Sequence, residues 1–430
     1  MARTAANGHG PGGERMGVQG IGQLRQRAGS FDWGRAREIP DVRGEVAIVG
    51  VGESEYSGPS GRTAKEMALV AVGNAIADAG LAPADIDGLM STANVADQLM
   101  PEDFHAHFGT SHPMWYSGEG GAMVWAATCP EQAAQALRTR QARHIVNVFA
   151  VDWASRRAAG TGTPGDYHAN EPMKALFEVP FGWYPQPVYM ATQACRHMHD
   201  YGTTPEQLGE LAVTFRRHAN GHPGAVMRAK TLSIEQYLAK PMLADPLRME
   251  DCCLVSDGAA AFVMSTPERA RDMPHAPIVV EGVGRGVIDN APYISQQKLL
   301  TATPQTFAAP WAFAMADMKP GDIDVIALYD CFSITALMMI EDMGFCAKGE
   351  GGAFVSGGRL GFDRPRSQGG LPCNTHGGLM SHAYVLGIAH VVEIVRQLRG
   401  EAANQVSDAR VGLYGGFTAE EAATLIMRRA

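Results

Sequence analysis

Charge is scarce in this sequence, and long apolar runs are missing from it. Only 19% of the residues are charged, and 36 Lys and Arg stand against 45 Asp and Glu, a formal charge of −9 with histidine neutral. That balance excludes nucleic acid as the main partner, because phosphate binding needs a basic face. No apolar run reaches about 20 residues, so no membrane span is expected. The first residues lack the apolar core of a signal peptide. Cysteine is sparse: seven, an odd number at irregular spacing, point to a reducing compartment and so to the cytoplasm.

Familiar cofactor and metal signatures are missing too. Gly50-Val51-Gly52 closes a β-rich run, but the third glycine of a dinucleotide fingerprint would fall on Glu55, so the pair reads as a tight turn after a strand. There is no Walker loop. Cys252-Cys253 cannot both bind one zinc in the CxxC manner, and no second pair completes a site. His105, His107 and His112 cluster without a cysteine at metal-ligand spacing. No metal and no resident cofactor are expected.

What is present is apolar mass and glycine. Hydrophobic residues make up 46% of the chain and Gly numbers 50, the mark of a compact chain with many tight turns. A length of 430 residues exceeds what one core usually supports, so two packed halves or a duplicated unit are expected. Residues 1–44, rich in Gly, Ala and Arg, read as a flexible tail. Order begins with the strand Val46 to Gly52. A helix follows over Ala64 to Ala79, with Ala64, Met67, Ala68, Ala71, Ala75 and Ile76 on one face, and Gly80 stops it.

The second half repeats the first. Ile278-Val279-Val280 with Gly282-Val283-Gly284 matches the first strand, and a helix is expected over Trp311 to Met318. Pro320-Gly321-Asp322-Ile323-Asp324 matches Pro83-Ala84-Asp85-Ile86-Asp87, each followed by an apolar strand. Gly120-Gly121-Ala122-Met123 and Gly377-Gly378-Leu379-Met380 each precede a helix, and a strand follows each helix, His144 to Val151 and Arg410 to Leu413. Three such pairs in one order point to duplication. The halves divide as 45–270 and 271–430, each a mixed or parallel sheet covered by helices. Residues 155–250 are less regular, apart from a helical stretch near Thr204 to His218, and read as a loop insertion over the site.

Several segments resemble the thiolase superfamily, in its sterol-carrier-protein-X and lipid-transfer-protein branch. They include Met198-His199-Asp200-Tyr201-Gly202, Asp251-Cys252-Cys253, Ser256-Asp257-Gly258, Tyr329-Asp330-Cys331-Phe332, Gly344-Phe345-Cys346-Ala347-Lys348-Gly349 and Leu371-Pro372-Cys373-Asn374-Thr375-His376-Gly377-Gly378. The resemblance runs from about Val46 to the C-terminus. It implies a thiolase-like duplicated five-layer α/β/α/β/α sandwich with the inserted loop region, and a homodimer.

The departures from the family carry the functional reading. A thiolase needs a nucleophilic cysteine at the start of the helix after the first half's glycines, where a helix N-terminus stabilises thiolate. Gly118 to Val124 holds no cysteine, and Cys129 lies too far into the helix. Where the family has the His of Gly-His-Pro, this chain reads Leu379-Met380-Ser381-His382-Ala383-Tyr384; Gly221-His222-Pro223 lies in the wrong segment to replace it. Where a second cysteine belongs, the chain reads Leu413-Tyr414-Gly415-Gly416. The thioester chemistry has lost its groups.

Two tyrosines stand at the matching positions, Tyr329 and Tyr384, as in the steroid side-chain-cleaving aldolases that the pattern most resembles. A retro-aldol cleavage of a β-hydroxy acyl-CoA needs a base, a stabilised enolate and an acid, and no nucleophile. Tyr329 and Tyr384 are the expected catalytic pair, with His376, His382, Asp330 and Asn374 as supporting candidates. Tyr384 is expected at the start of a helix carrying Ile388, Val391, Val392, Val395 and Leu398, whose N-terminus would favour phenolate. Coenzyme A enters only as part of the substrate. The aldolases it resembles work with a separate zinc-ribbon and OB-fold protein, and this chain has no CxxC…CxxC region, so such a partner is expected in trans. The alternatives are an acyltransferase component and a non-catalytic acyl-CoA or lipid carrier.

Overall fold

The computed structural model describes residues 33–92, 99–161, 172–289 and 294–430. Among the described residues the strands of the main sheet are β1 (Gly34–Arg37), β2 (Ala47–Glu53), β3 (Gly88–Met90), β4 (Trp115–Ser117), β5 (Ile145–Asp152), β6 (Asp257–Ser265), β7 (Ile278–Ile288), β8 (Val325–Leu328), β9 (Val411–Phe417) and β10 (Glu421–Arg429). The helices used below are α1 (Ala64–Asp78), α2 (Met123–Arg138), α3 (Gln186–Tyr201), α4 (Pro205–Gly221), α5 (Gln305–Ala316), α6 (Ser333–Asp342), the single turn α7 (Gly378–Ser381) and α8 (Ile388–Arg399).

The strand order is β8-β9-β10-β7-β2-β6-β5-β3-β4, with β1 also paired to β7. The two halves meet where β2 touches β7, at Ala47–Val279 and Ile48–Ile278. On one side β3 runs parallel to β5, β5 antiparallel to β6, and β6 antiparallel to β2. On the other, β8 runs parallel to β9, β9 antiparallel to β10, and β10 antiparallel to β7. Apart from the edge strand β4, each half therefore lays its strands out as second, third, fourth, first. The duplication read from sequence is a duplication of topology.

The helices complete the layers. α1 packs on β2, β5 and β6, and α5 on β1, β7 and β10. α2 and α8 touch strands of both halves and fill the space between them. The result is the expected helix, sheet, helix, sheet, helix sandwich. α1 starts with a capping box: the Glu66 amide donates to Thr63 Oγ1 (3.2 Å) and the Thr63 amide to the Glu66 carboxylate (2.8 Å).

Glycine decides how closely helix meets sheet. A Cβ on Gly50 or Gly52 would run into the α1 backbone at Ala71 and Ala75. A Cβ on Gly282 or Gly284 would run into the α5 backbone at Ala312 and Ala308. The Gly-x-Gly that fails as a dinucleotide fingerprint is thus a packing device, used twice.

Several boundaries differ from expectation. Residues 33–44 are not tail: β1 pairs with β7, and Trp33, Ile39 and Val42 are buried. Three apolar residues at uneven spacing give no periodic signal, yet each finds a core pocket. Residues 1–32, the rest of the expected tail, lie outside the described residues. The insertion is real, because β9 and β10 are joined by residues 418–420 whereas β5 and β6 are separated by residues 153–256. It is not loop, however, since it carries the long helices α3 and α4 together with several shorter ones; residues 162–171 lie outside the described residues. α5 begins at Gln305, not Trp311, because buried Gln305 bonds the carbonyls of Gly416 (2.9 Å) and Ala423 (3.0 Å) and so anchors the helix start. All seven cysteines are free. No helix among the described residues is long and apolar enough to cross a membrane.

Candidate active site

Tyr329 follows β8, its amide donating to Gly415 O of β9 (2.9 Å). Tyr384 lies in the bend after α7, its amide donating to Ser256 Oγ (2.8 Å) and its carbonyl accepting from the same hydroxyl (3.3 Å). These anchors bring the two hydroxyls to 3.3 Å, within hydrogen-bond reach, with the residues only 4% and 7% exposed. The Tyr384 ring packs on Trp153, with centroids 5.1 Å apart. Burial raises the Tyr329 phenol well above its ordinary value, and neighbouring Tyr384 and Cys331 add to that. Cys253 belongs to the same cluster: its amide donates to Cys331 O (2.8 Å), and burial pushes its thiol well up although the Tyr384 hydroxyl bonds to it.

One expectation at Tyr384 needs correction. The helix begins at Ile388, after Leu386 and Gly387, both at positive φ, so Tyr384 stands in a bend and not on a helix start. A helix N-terminus is therefore not the source of phenolate stabilisation assumed from the sequence. Gly387 serves the site by size: a Cβ there would sit 3.0 Å from Tyr329 Cδ2 and 2.5 Å from the Tyr414 hydroxyl.

The supporting candidates divide into two groups. Asp330 and Asn374 are fully buried and hold backbone. Asp330 accepts from the amides of Leu379 (2.8 Å) and Met380 (3.2 Å), and from His390 Nε2 (3.0 Å). Asn374 continues the sheet with its side chain, accepting from Leu328 N (2.7 Å) and donating to Leu328 O (3.0 Å). His376 and His382 lie in a row of rings: His222–His382 at 4.6 Å, His382–His376 at 4.9 Å and His376–His390 at 4.7 Å between centroids. Burial and mutual proximity hold His376 and His382 well below the usual imidazole range, so both rings are neutral. His222, set aside in the sequence as out of place, packs beside the residue two before Tyr384.

At the place of the thiolase nucleophile, α2 begins with Met123, at φ +50°. Its amide donates to Leu386 O (2.6 Å) and its carbonyl accepts from the Tyr414 hydroxyl (2.9 Å). Cys129 lies well inside α2, 1% exposed, and burial pushes its thiol far up, away from nucleophilic character. Tyr414, noted from sequence only as a missing cysteine, is a third phenol walling the site. Trp153, Ser256, Cys253 and His390 were also missed. Each looks like an ordinary core or loop residue in one dimension, although Cys253 and Ser256 lay in motifs already marked. The His105 cluster is occupied by local bonds: His105 Nδ1 with Thr110 Oγ1 and His112 Nε2 with Ile86 O, both at 2.7 Å. Among the described residues no group of three or more His, Cys, Asp or Glu is arranged to hold a metal ion.

Comparison with known proteins gives the family and its relatives. Residues 286–429 match the thiolase C-terminal domain-like family. The chain is 34% identical to a steroid side-chain-cleaving aldolase of Thermomonospora curvata, over 89% of this chain and 98% of that one. It is 33% identical to the 17-hydroxy-3-oxo-4-pregnene-20-carboxyl-CoA lyase of Mycobacterium tuberculosis, over 90% and 100% of the two chains. The solved Ltp2-ChsH2(DUF35) aldolase superposes with a TM-score of 0.81 at 32% identity, covering 90% of this chain and 99% of that one. Human mitochondrial 3-ketoacyl-CoA thiolase shares the fold, with a TM-score of 0.62 at 12% identity.

Proposed function

The chain belongs to the thiolase superfamily, and we propose that it is an acyl-CoA retro-aldolase, a carbon–carbon lyase acting on a β-hydroxy acyl-CoA with a steroid side chain as the substrate class. The observation that carries this reading is the buried hydroxyl–hydroxyl contact of Tyr329 and Tyr384 at 3.3 Å. The two relatives matched over nearly their whole length, named as an aldolase and a CoA lyase, support it.

The contact suggests how two phenols do this work without ionising. The substrate β-hydroxyl gives its proton to one phenol oxygen. That phenol passes its own proton across the contact to the second. The second phenol protonates the α-carbon as the carbon–carbon bond breaks, so the products are a carbonyl compound and a neutral thioester. Atoms and charge balance, and both phenols end neutral with their hydrogens redirected. Burial, which holds Tyr329 protonated, favours this route over one through phenolate. The chemistry calls for no resident cofactor, with coenzyme A present as part of the substrate.

The test is release of a ketone or aldehyde from β-hydroxy acyl-CoAs. Tyr329→Phe and Tyr384→Phe should each lower kcat by about 10²- to 10⁴-fold, the usual worth of a positioned acid or base. The rate should stay level from neutral to moderately alkaline pH. Full activity in both variants would refute the tyrosine assignment, and a rate rising tenfold per pH unit would refute the neutral relay. An acyltransferase would instead leave labelled acyl groups on cysteine.

The working assembly we propose is a homodimer with a separate zinc-ribbon and OB-fold chain, in the reducing cytoplasm where seven free thiols persist. The solved relative is an Ltp2-ChsH2(DUF35) aldolase. Exposed Leu176, Phe177 and Phe181 in the insertion offer an apolar face for such contact. Light scattering should give a dimer alone and a larger species with the partner; a monomer unaffected by partner would refute this assembly.

A further inference from the structure

We propose that His390 is a positioning residue that sets the separation of the two tyrosines. The inference rests on the retro-aldol reading only for its rate measurement.

His390 is fully buried in α8. Its Nε2 bonds Leu328 O (2.8 Å) and Asp330 Oδ1 (3.0 Å), the residues immediately before and after Tyr329. Both partners are acceptors, so Nε2 carries the hydrogen and shares it between them. Asp330 then accepts from Leu379 N and Met380 N, which start the turn leading into Tyr384. His390 itself lies on the first turn of α8, a few residues after Tyr384 and past the glycine whose Cα faces the Tyr329 ring. One imidazole thus holds both neighbours of Tyr329 and, through Asp330, the turn that leads into Tyr384. No other described side chain bonds both flanks of Tyr329. Misplacement by about 1 Å at a reacting group can cost 10²-fold in rate, and a hydroxyl contact at 3.3 Å has little slack.

The full chain is tested as wild type, His390→Leu, His390→Gln and Asp330→Asn. Gln can place an amide N–H near the position of Nε2, whereas Leu cannot donate. His390→Leu should lower kcat about 100-fold with KM within about twofold, and His390→Gln should recover to within about tenfold of wild type. A wild-type kcat in His390→Leu, or a Gln variant no better than Leu, overturns the proposal. The second readout needs no substrate: alkaline titration of tyrosine absorbance in the ultraviolet, with Tyr329→Phe identifying the late-titrating phenol. His390→Leu should shift that step by at least about one pH unit, and an unmoved step overturns the proposal. If wild-type protein cleaves no β-hydroxy acyl-CoA, the retro-aldol reading fails while the titration still decides His390. If His390→Leu does not fold, Asp330→Asn takes its place: a lower kcat and a shifted step are expected, and two unchanged values overturn the proposal.

Discussion

Glu393 keeps its proton far above the ordinary carboxylate range. Its carboxyl is buried on α8, accepting from Thr375 Oγ1 (2.5 Å) and Gln397 Nε2 (3.0 Å), and burial pushes it up to about 7. An unfolded glutamate loses its proton near 4.3, so between about pH 4.3 and 7 the folded chain binds more protons. Its contribution to stability therefore falls as pH rises through that window and stays lost above it. Glu393→Gln keeps an oxygen for both partners and removes the ionisation. It should stabilise the chain at pH 8 by on the order of 2 kcal/mol and leave it nearly unchanged at pH 4.5. Urea unfolding at both pH values measures this, and an equal difference at both would contradict it. Nothing in the sequence marks Glu393, because a glutamate on an amphipathic helix looks solvent-facing until both sheets close over it. Tyr329 and Tyr384 were legible only because they fall in family motifs.

At the scale of elements, the paired glycines of β2 and β7 admit helix backbone where any side chain would collide. Gly52→Ala and Gly284→Ala should each cost about 2 kcal/mol or more, the penalty of forcing atoms into a filled interior. Gly58→Ala should be near neutral, since nothing lies within 4 Å of a Cβ there. Denaturant midpoints of the three variants test this, and equal midpoints would mean that α1 and α5 can slide outward freely. The strand-helix-strand order and the repeat were readable because period and glycine placement are local signals. The boundaries of α5 and β1 were not, because Gln305 and Trp33 are fixed by partners distant in sequence. Tyr384 falls outside α8 for a related reason: Leu386 and Gly387 take up positive φ to let the chain pass Tyr329 and Tyr414.

Across the whole molecule, the feature that most shapes pH response is its buried histidine. Burial depresses His218 to about 4 and lowers His144, His222, His376 and His382. Each takes up its proton at lower pH in the folded chain than in the unfolded one, where imidazole titrates near about 6.5. Their stability is fully present above that pH and lost as pH falls below it, by up to about 1.4 kcal/mol per histidine per pH unit. Unfolding free energy should drop by about 3 kcal/mol between pH 7.5 and 5.5, after partial offset by Glu393. Calorimetry or urea titration checks it, and a chain equally stable at both values would show that these rings are not neutral in the core.

The sequence by itself determined the duplicated α/β organisation and the absence of a cysteine at the thiolase position, because both are written in local pattern and residue identity. Its resemblance to family motifs singled out Tyr329 and Tyr384 as candidates. Only the tertiary structure decided that their hydroxyls meet. That contact joins residues 55 positions apart, through Ser256, Gly415 and His390 on three other segments, and a distance set by closure of two sheets has no one-dimensional signature.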